Sequence, residues 1–181
     1  MDNGASSYRR FLDGDENAFD DIMKALFHPL VFFLNRYVHD PEVAEDLAMD
    51  AFTALIVHKH RYHFQVSLKT YLFMIGRSRA LDYLKRKKIV EFVALSREDF
   101  ADERSLEEMV LTDQRKKAIH AAINKLPEEM QTAVHLVYLE GLSYESAAKV
   151  MKKSRKQVDN LLYRAKKELR IILEKDGDFV L

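Results

Sequence analysis

The chain reads as an all-α protein of two small helical domains joined by an acidic linker, the second domain carrying a helix-turn-helix. Three observations predict this. Apolar residues recur at three-to-four spacing in successive segments. Only 5 Gly and 3 Pro interrupt a sequence that is 48% hydrophobic, enough apolar material for helical cores. Residues 142–169, LSYESAAKVMKKSRKQVDNLLYRAKKEL, read as two short amphipathic helices joined by a tight basic turn.

From the amino terminus, Tyr8 to Leu12 form a short helix ended near Gly14, and Asp15 or Asn17 caps the next, which carries Ala18, Phe19, Ile22, Met23, Leu26 and Phe27. Pro29 has no N–H to donate and crowds the preceding turn, so a kink or short break is expected before Leu30 to Val38 resume the pattern. His39-Asp40-Pro41 is a turn. Pro41 then opens a helix to about Val57, with Glu42, Glu45 and Asp46 near its positive end. The following helix, Leu68 to about Arg86, is apolar almost all round from Tyr71 to Ile75, as suits the centre of a bundle, and ends in Lys85-Arg86-Lys87-Lys88.

Residues 91–113 scatter Phe92, Val93, Leu95, Phe100 and Leu106 among acids without a sustained period, and read as a linker; a helical stretch within 104–112 would pack Leu106, Met109 and Val110. Ala118 to Leu126 form a helix, and Pro127 opens another to about Leu139, before Gly141. The expected domains are therefore 1–90 and 114–181.

In the helix-turn-helix, Ala147, Ala148 and Met151 give the first helix a small inner face. Ser154 and Gln157, three places apart, form a capping box that starts the second. Val158, Leu161, Leu162, Ala165, Leu169 and Ile172 fall on one stripe, the core side. The opposite arc collects Lys156, Asp159, Asn160, Tyr163, Arg164 and Lys167, side chains able to reach base edges or phosphates. An isolated cationic helix is usually just a solvated face; the preceding helix and short turn favour a reading surface here.

Charge strengthens that reading, because 29 basic and 29 acidic residues balance only in sum. Residues 1–60 carry 5 basic and 11 acidic side chains, 61–90 carry 8 and 1, 91–113 carry 2 and 8, and 149–170 carry 9 and 2. Two basic patches around an acidic stretch suggest two contacts with nucleic acid, each weakened by salt.

Other classes find little support. There is no cysteine for disulfides or thiolate metal sites, nothing resembles a signal peptide, and the most apolar stretch, Leu30 to Leu34, is too short for a bilayer. A soluble cytoplasmic protein without membrane insertion is expected. His58, His60 and His63 lie within six residues, but the i, i+2 spacing of the first two does not share a helical face and no Cys or HExxH arrangement joins them, so a polar loop end is expected rather than a metal site. No Gly-rich phosphate loop, nucleophile elbow or catalytic carboxylate pair stands out, so neither catalytic residues nor a cofactor are assigned. A stand-alone helix-turn-helix regulator would leave the basic helix at 67–88 unexplained, and a protein-binding adaptor would explain neither basic patch.

The order of parts resembles the extracytoplasmic-function group of bacterial RNA polymerase sigma factors over nearly the whole chain. FLDGDENAF at 11–19 resembles the opening signature of that family, and AEDLAMDAF at 44–52 its polymerase-gripping acidic helix. SLKTYLFMIGRSRALDYLKRKK at 67–88 resembles the helix that opens and reads the minus-ten element. INKLPEEMQTAVHLVYLEGLSYESAAKVMKKSRKQVDNLLYRAKKEL at 123–169 resembles the domain that reads the minus-thirty-five element. The resemblance implies core RNA polymerase and promoter DNA, duplex and single-stranded, as partners, and allows an anti-sigma protein as a further one.

Carried over by position, the resemblance assigns polymerase contact to Glu45, Asp46, Leu47, Met49, Asp50 and Phe52, although Leu47 and Phe52 also fit a core face. Met49 stands where the family usually has glutamine. Arg61, Tyr62, His63, Phe64 and Gln65 resemble the loop that holds an extruded base, with rings to stack and polar groups for base edges. Single-strand and phosphate contacts fall to Tyr71, Arg77, Ser78, Arg79, Asp82, Lys85 and Arg86. Tyr71, where tryptophan is usual, is a stacking platform or a core aromatic; Ser78, where asparagine is common, is a shorter donor. Upstream, Lys156, Gln157, Asn160 and Arg164 are assigned to the major groove, and Lys152, Lys153, Arg155, Lys166 and Lys167 to phosphates. Lys152 replaces a frequent glycine at the turn, so it adopts a left-handed conformation or the turn differs. Asp159 stands where a base is frequent, an acid able to accept from a cytosine amino group. The linker is a solvated tether or, as in the family, a strand for the polymerase's RNA path.

Overall fold

The computed structural model describes residues 4–93 and 114–175. The chain divides into two compact units, Met1–Leu106 and Glu107–Leu181, and every regular element among the described residues is a helix. None of these helices is long and apolar enough to cross a membrane.

The first unit contains α1 (Ala5–Leu12), α2 (Asn17–Val38), α3 (Pro41–Val57), a single 3-10 turn (Lys59–Arg61) and α4 (Leu68–Val93). Helix α2 runs through Pro29 without the expected break. The bond the proline cannot make would have gone to the carbonyl of Ala25, an exposed residue, where water can take the acceptor. Asp40 caps α3, its carboxylate accepting from the N–H groups of Glu42 (3.1 Å) and Val43 (3.2 Å), with Pro41 at the first helical position where no N–H is needed. Helix α4 extends to Val93, beyond the expected end near Arg86, because no Gly or Pro follows the basic run to stop it.

Helix α2 packs against α1, α3 and α4. Their shared core holds Phe33, Phe52, Phe73, Ile22, Leu30, Leu34, Leu55 and Leu72, and Phe33 stacks on Phe73 with ring centres 4.9 Å apart, a pairing worth about 0.5–1.5 kcal/mol beyond its buried area. Gly76 lets α4 approach α2 closely: a Cβ there would lie 3.0 Å from Leu30 Cδ1 and 3.2 Å from Leu34 Cδ2. Tyr8 of α1 is fully buried, and its hydroxyl donates to the carbonyls of Leu55 and Lys59. Burial and the neighbouring Tyr71 and Tyr62 push this phenol up to about 12.

The second unit contains α5 (Gln114–Asn124), α6 (Glu128–Val134) prolonged by a π turn (His135–Leu139), α7 (Tyr144–Met151) and α8 (Arg155–Lys175). Pro127 stands just outside α6 with φ −55°, as its ring requires. In the π turn the N–H of Glu140 bonds to the His135 carbonyl, and Gly141 at φ 68° then turns the chain. Helix α8 packs on α5, α6 and α7 over Val158, Leu162 and Ala165, while Leu161, Leu169 and Ile172 of the same stripe are half-buried. Of the expected linker at 91–113, residues 91–93 belong instead to α4, and 94–113, with the expected helical stretch within 104–112, lie outside the described residues.

Candidate nucleic-acid interface

The helix-turn-helix is α7, the turn Lys152–Ser154 and α8. Ser143 caps α7 by accepting from the Ser146 N–H. At its other end the N–H of Lys153 bonds to Ala148 O (2.9 Å) and that of Lys152 to Lys149 O (3.3 Å), closing the helix as a Schellman motif. Lys152 takes the left-handed place that motif usually gives to glycine, at φ 54° and ψ 45°. Helix α8 starts with the expected reciprocal cap: Gln157 Oε1 accepts from the Ser154 N–H (2.8 Å) and Ser154 Oγ from the Gln157 N–H (3.2 Å). Gln157 is therefore a cap as well as a candidate reader.

On the solvent side of α8, Lys156, Asp159, Asn160, Tyr163, Arg164 and Lys167 are all exposed, and Lys167 lies over the Tyr163 ring at 5.3 Å. Lys153, Gln157, Asn160 and Arg164 line one cleft with Glu129 and Leu161. Two of the expected phosphate contacts are already paired with acids: Lys153 with Glu129 (2.7 Å) and Arg155 with Glu145 (2.8 Å). The Glu145 carboxyl is held below its ordinary range first by its own backbone N–H, then by Arg155 and the Ser143 hydroxyl. Lys166 stands on the flank, its amine 5.4 Å from the Tyr138 ring centre; bonding to the Tyr138 hydroxyl, reinforced by Tyr144 and Asp159, raises it above the ordinary lysine value.

In the first unit, the loop after the 3-10 turn packs more tightly than its sequence suggests. Tyr62 is only 4% exposed, its hydroxyl donates to Val66 O (2.6 Å), and its ring meets Tyr8, Phe64 and Tyr71 at 5.4, 4.6 and 5.0 Å. The expectation that Tyr62 offers a face to a base is corrected: the ring is a core wall behind the loop. Phe64 is half-buried with φ 57°, a left-handed backbone that costs a bulky side chain about 1–3 kcal/mol. The Arg9 guanidinium lies over its ring at 4.8 Å. Arg61, His63 and Gln65 are exposed beside it.

Along α4, Tyr71 and Ser78 are half-buried and Asp82, Lys85 and Arg86 are exposed. Arg77 is turned toward α2, donating to the Tyr37 hydroxyl (3.2 Å), and Arg79 toward α3, pairing with Asp50 (3.2 Å). These two arginines are thus partly committed inside the unit.

On α3, Glu45, Asp46, Met49 and Asp50 are exposed. Leu47 (8% exposed) and Phe52 (1%) face the core, which corrects their assignment to a partner surface. Sequence reasoning missed Ile56 and Val57, exposed apolar residues on the same helix as Met49 (48% exposed). Their helical spacing from Met49 was the available signal.

Two family models match the chain: sigma-70 region 2 over residues 22–89 and sigma-70 region 4 over residues 116–169, together about two thirds of its length. The chain belongs to the sigma-70 family, in its extracytoplasmic-function group. Among curated relatives of this sigma-70 chain, the RNA polymerase sigma-H factor of Pseudomonas aeruginosa is 28% identical over 166 residues, covering 86% of each chain. The ECF RNA polymerase sigma factor SigM of Bacillus subtilis is 24% identical over 153 residues, covering 84% of this chain and 93% of SigM. In fold, the sigma-70 chain is similar to the sigma factor RpoE from Bartonella quintana, solved in complex with the anti-sigma factor NepR: TM-score 0.64, 20% identity, covering 86% of this chain and 96% of that one.

Proposed function

We propose that this protein is a transcription initiation factor that binds core RNA polymerase and directs it to a promoter, without covalent chemistry of its own. The joint presence of sigma region 2 and region 4 in one chain carries the reading, since a stand-alone regulator has no use for region 2. The second unit docks on upstream duplex DNA through Lys156, Asn160 and Arg164 at base edges, with Lys152, Lys153, Arg155, Lys166 and Lys167 on phosphates. Gln157 and Asp159 tune that readout, and Tyr163 supports Lys167 beside it. Specificity of this kind needs the helix held in register, which the cap and the apolar stripe of α8 supply.

The first unit takes the unpaired strand. Extruding a base costs a few kcal/mol, offset by stacking and by cations along the backbone. Phe64 and Tyr71 offer rings, Arg61, His63, Gln65 and Ser78 polar groups, and Lys85 and Arg86 charge. Asp46 and Asp50, with Glu45, Met49, Ile56 and Val57, make the polymerase-facing surface of α3. The Bartonella quintana structure pairs its sigma factor with an anti-sigma factor, and a partner of that kind belongs to the same proposal.

Run-off transcription tests the reading. Purified protein with core polymerase is expected to start RNA at a cognate promoter; duplex binding by the protein alone, with no initiation in the presence of core polymerase, would refute it.

A further inference from the structure

The region 2 match begins at residue 22, so α1 lies outside it. Yet α1 is bound to the aromatic loop at two points. Tyr8 packs on Tyr62 and anchors to Leu55 and Lys59, while the Arg9 guanidinium lies over the Phe64 ring, 4.8 Å from its centre. Arg10, the next cation on α1, is engaged by Asp15 and Asp21. Arg9 is exposed and meets no carboxylate among the described residues. Among the described residues, the contact its guanidinium makes is with the Phe64 ring.

We propose that Arg9 is a further contact for the unpaired strand: it covers Phe64 in the free protein, and when a base stacks on that ring the displaced guanidinium takes the phosphate of the same nucleotide. This rests on the reading of the loop as a base-capture site. One face of a ring holds one flat partner at a time, so a guanidinium and a base compete for Phe64. Tyr62 backs the ring from the core and keeps it in place during the exchange. The incoming nucleotide carries a negative charge joined to its base, so the group that removes Arg9 from the ring also supplies its new partner. The cation–π contact is thereby traded for a stack and an ion pair.

The test uses polymerase holoenzyme assembled with wild-type protein, Arg9→Ala, Arg9→Gln or Arg9→Lys. A fork-junction DNA with an unpaired strand, built on a start site mapped with the wild-type protein, is titrated at several salt concentrations. Each phosphate neutralised on a single strand contributes about 0.7 to the slope of log K against log salt. Arg9→Ala and Arg9→Gln are expected to bind more weakly with the slope reduced by about that amount, while Arg9→Lys keeps the wild-type slope. Weaker binding with an unchanged slope would mean that Arg9 is only a latch on Phe64, and would overturn the proposal, as would unchanged binding. Thermal unfolding of each variant matching the wild type excludes a folding artefact. Failure of the wild-type protein to initiate at all refutes the underlying function instead.

Discussion

Replacing Lys152 with glycine is expected to stabilise the carboxyl-terminal unit while weakening its hold on duplex DNA. At φ 54° and ψ 45° the Lys152 Cβ crowds the following carbonyl, at about 1–2 kcal/mol, a clash that glycine lacks. Glycine also frees the unfolded chain, which takes back about 0.4–1 kcal/mol. The Schellman bonds come from backbone N–H groups and survive the change. The net gain is about 0.5–1 kcal/mol, or about two- to fivefold in the opening equilibrium of the α7 and α8 amides, measured by hydrogen exchange on the full chain. On cognate duplex, loss of one phosphate contact should lower the slope of log K against log salt by about 0.9. Protection that stays level or falls would show that position 152 carries no relievable strain. An unaltered slope would remove Lys152 from the phosphate contacts.

Ser154→Ala removes half of the reciprocal cap and is expected to cost about 1 kcal/mol, seen as a lower denaturant midpoint for α8. Phe52→Ala empties a core position at about 3–5 kcal/mol, whereas Asp46→Lys with Asp50→Lys breaks only the solvated Asp50–Arg79 pair, costs about 1 kcal/mol or less in thermal unfolding, and lowers recovery with polymerase in co-purification. Lys156→Ala and Arg164→Ala are each expected to weaken promoter recognition by about 1–3 kcal/mol, measured as the binding ratio between cognate and altered upstream elements. Arg10 foremost holds the Asp15 carboxyl below its ordinary range. The stabilising effect on α1 is then whole above about pH 4 and disappears as pH falls through the lowered value, and Asp15→Asn should flatten that limb of α1 amide protection.

The helices were legible because each carries its own signals: Pro41 opening α3, Ser154 and Gln157 opening α8, and an apolar stripe from Val158 onward. These depend on neighbours within one or two turns, which the sequence lists in order. The continuity of α2 through Pro29 was not, since it depends on Ala25 being exposed once the unit has folded. The first site was less legible than the second. An aromatic in a loop serves equally as a platform or a core wall, and what makes Tyr62 a wall is Tyr8, more than fifty residues earlier in the chain. Likewise Arg77 and Arg79 look alike in a basic helix, but one finds Tyr37 and the other Asp50 only after α2, α3 and α4 have packed. Exposed residues on one face of α8 needed no such long-range information.

The Asp50–Arg79 pair joins the helix assigned to polymerase with the helix assigned to the unpaired strand. A carboxylate shared between two cations serves each less well. Whatever positive group approaches Asp50 from outside therefore loosens Arg79, and a phosphate that draws Arg79 away leaves Asp50 readier for that outside group. Both side chains are substantially solvated, so the swap involves on the order of 1 kcal/mol or less. With the proposed contacts at both residues, such a toggle would bias the two events toward occurring together without making either wait for the other.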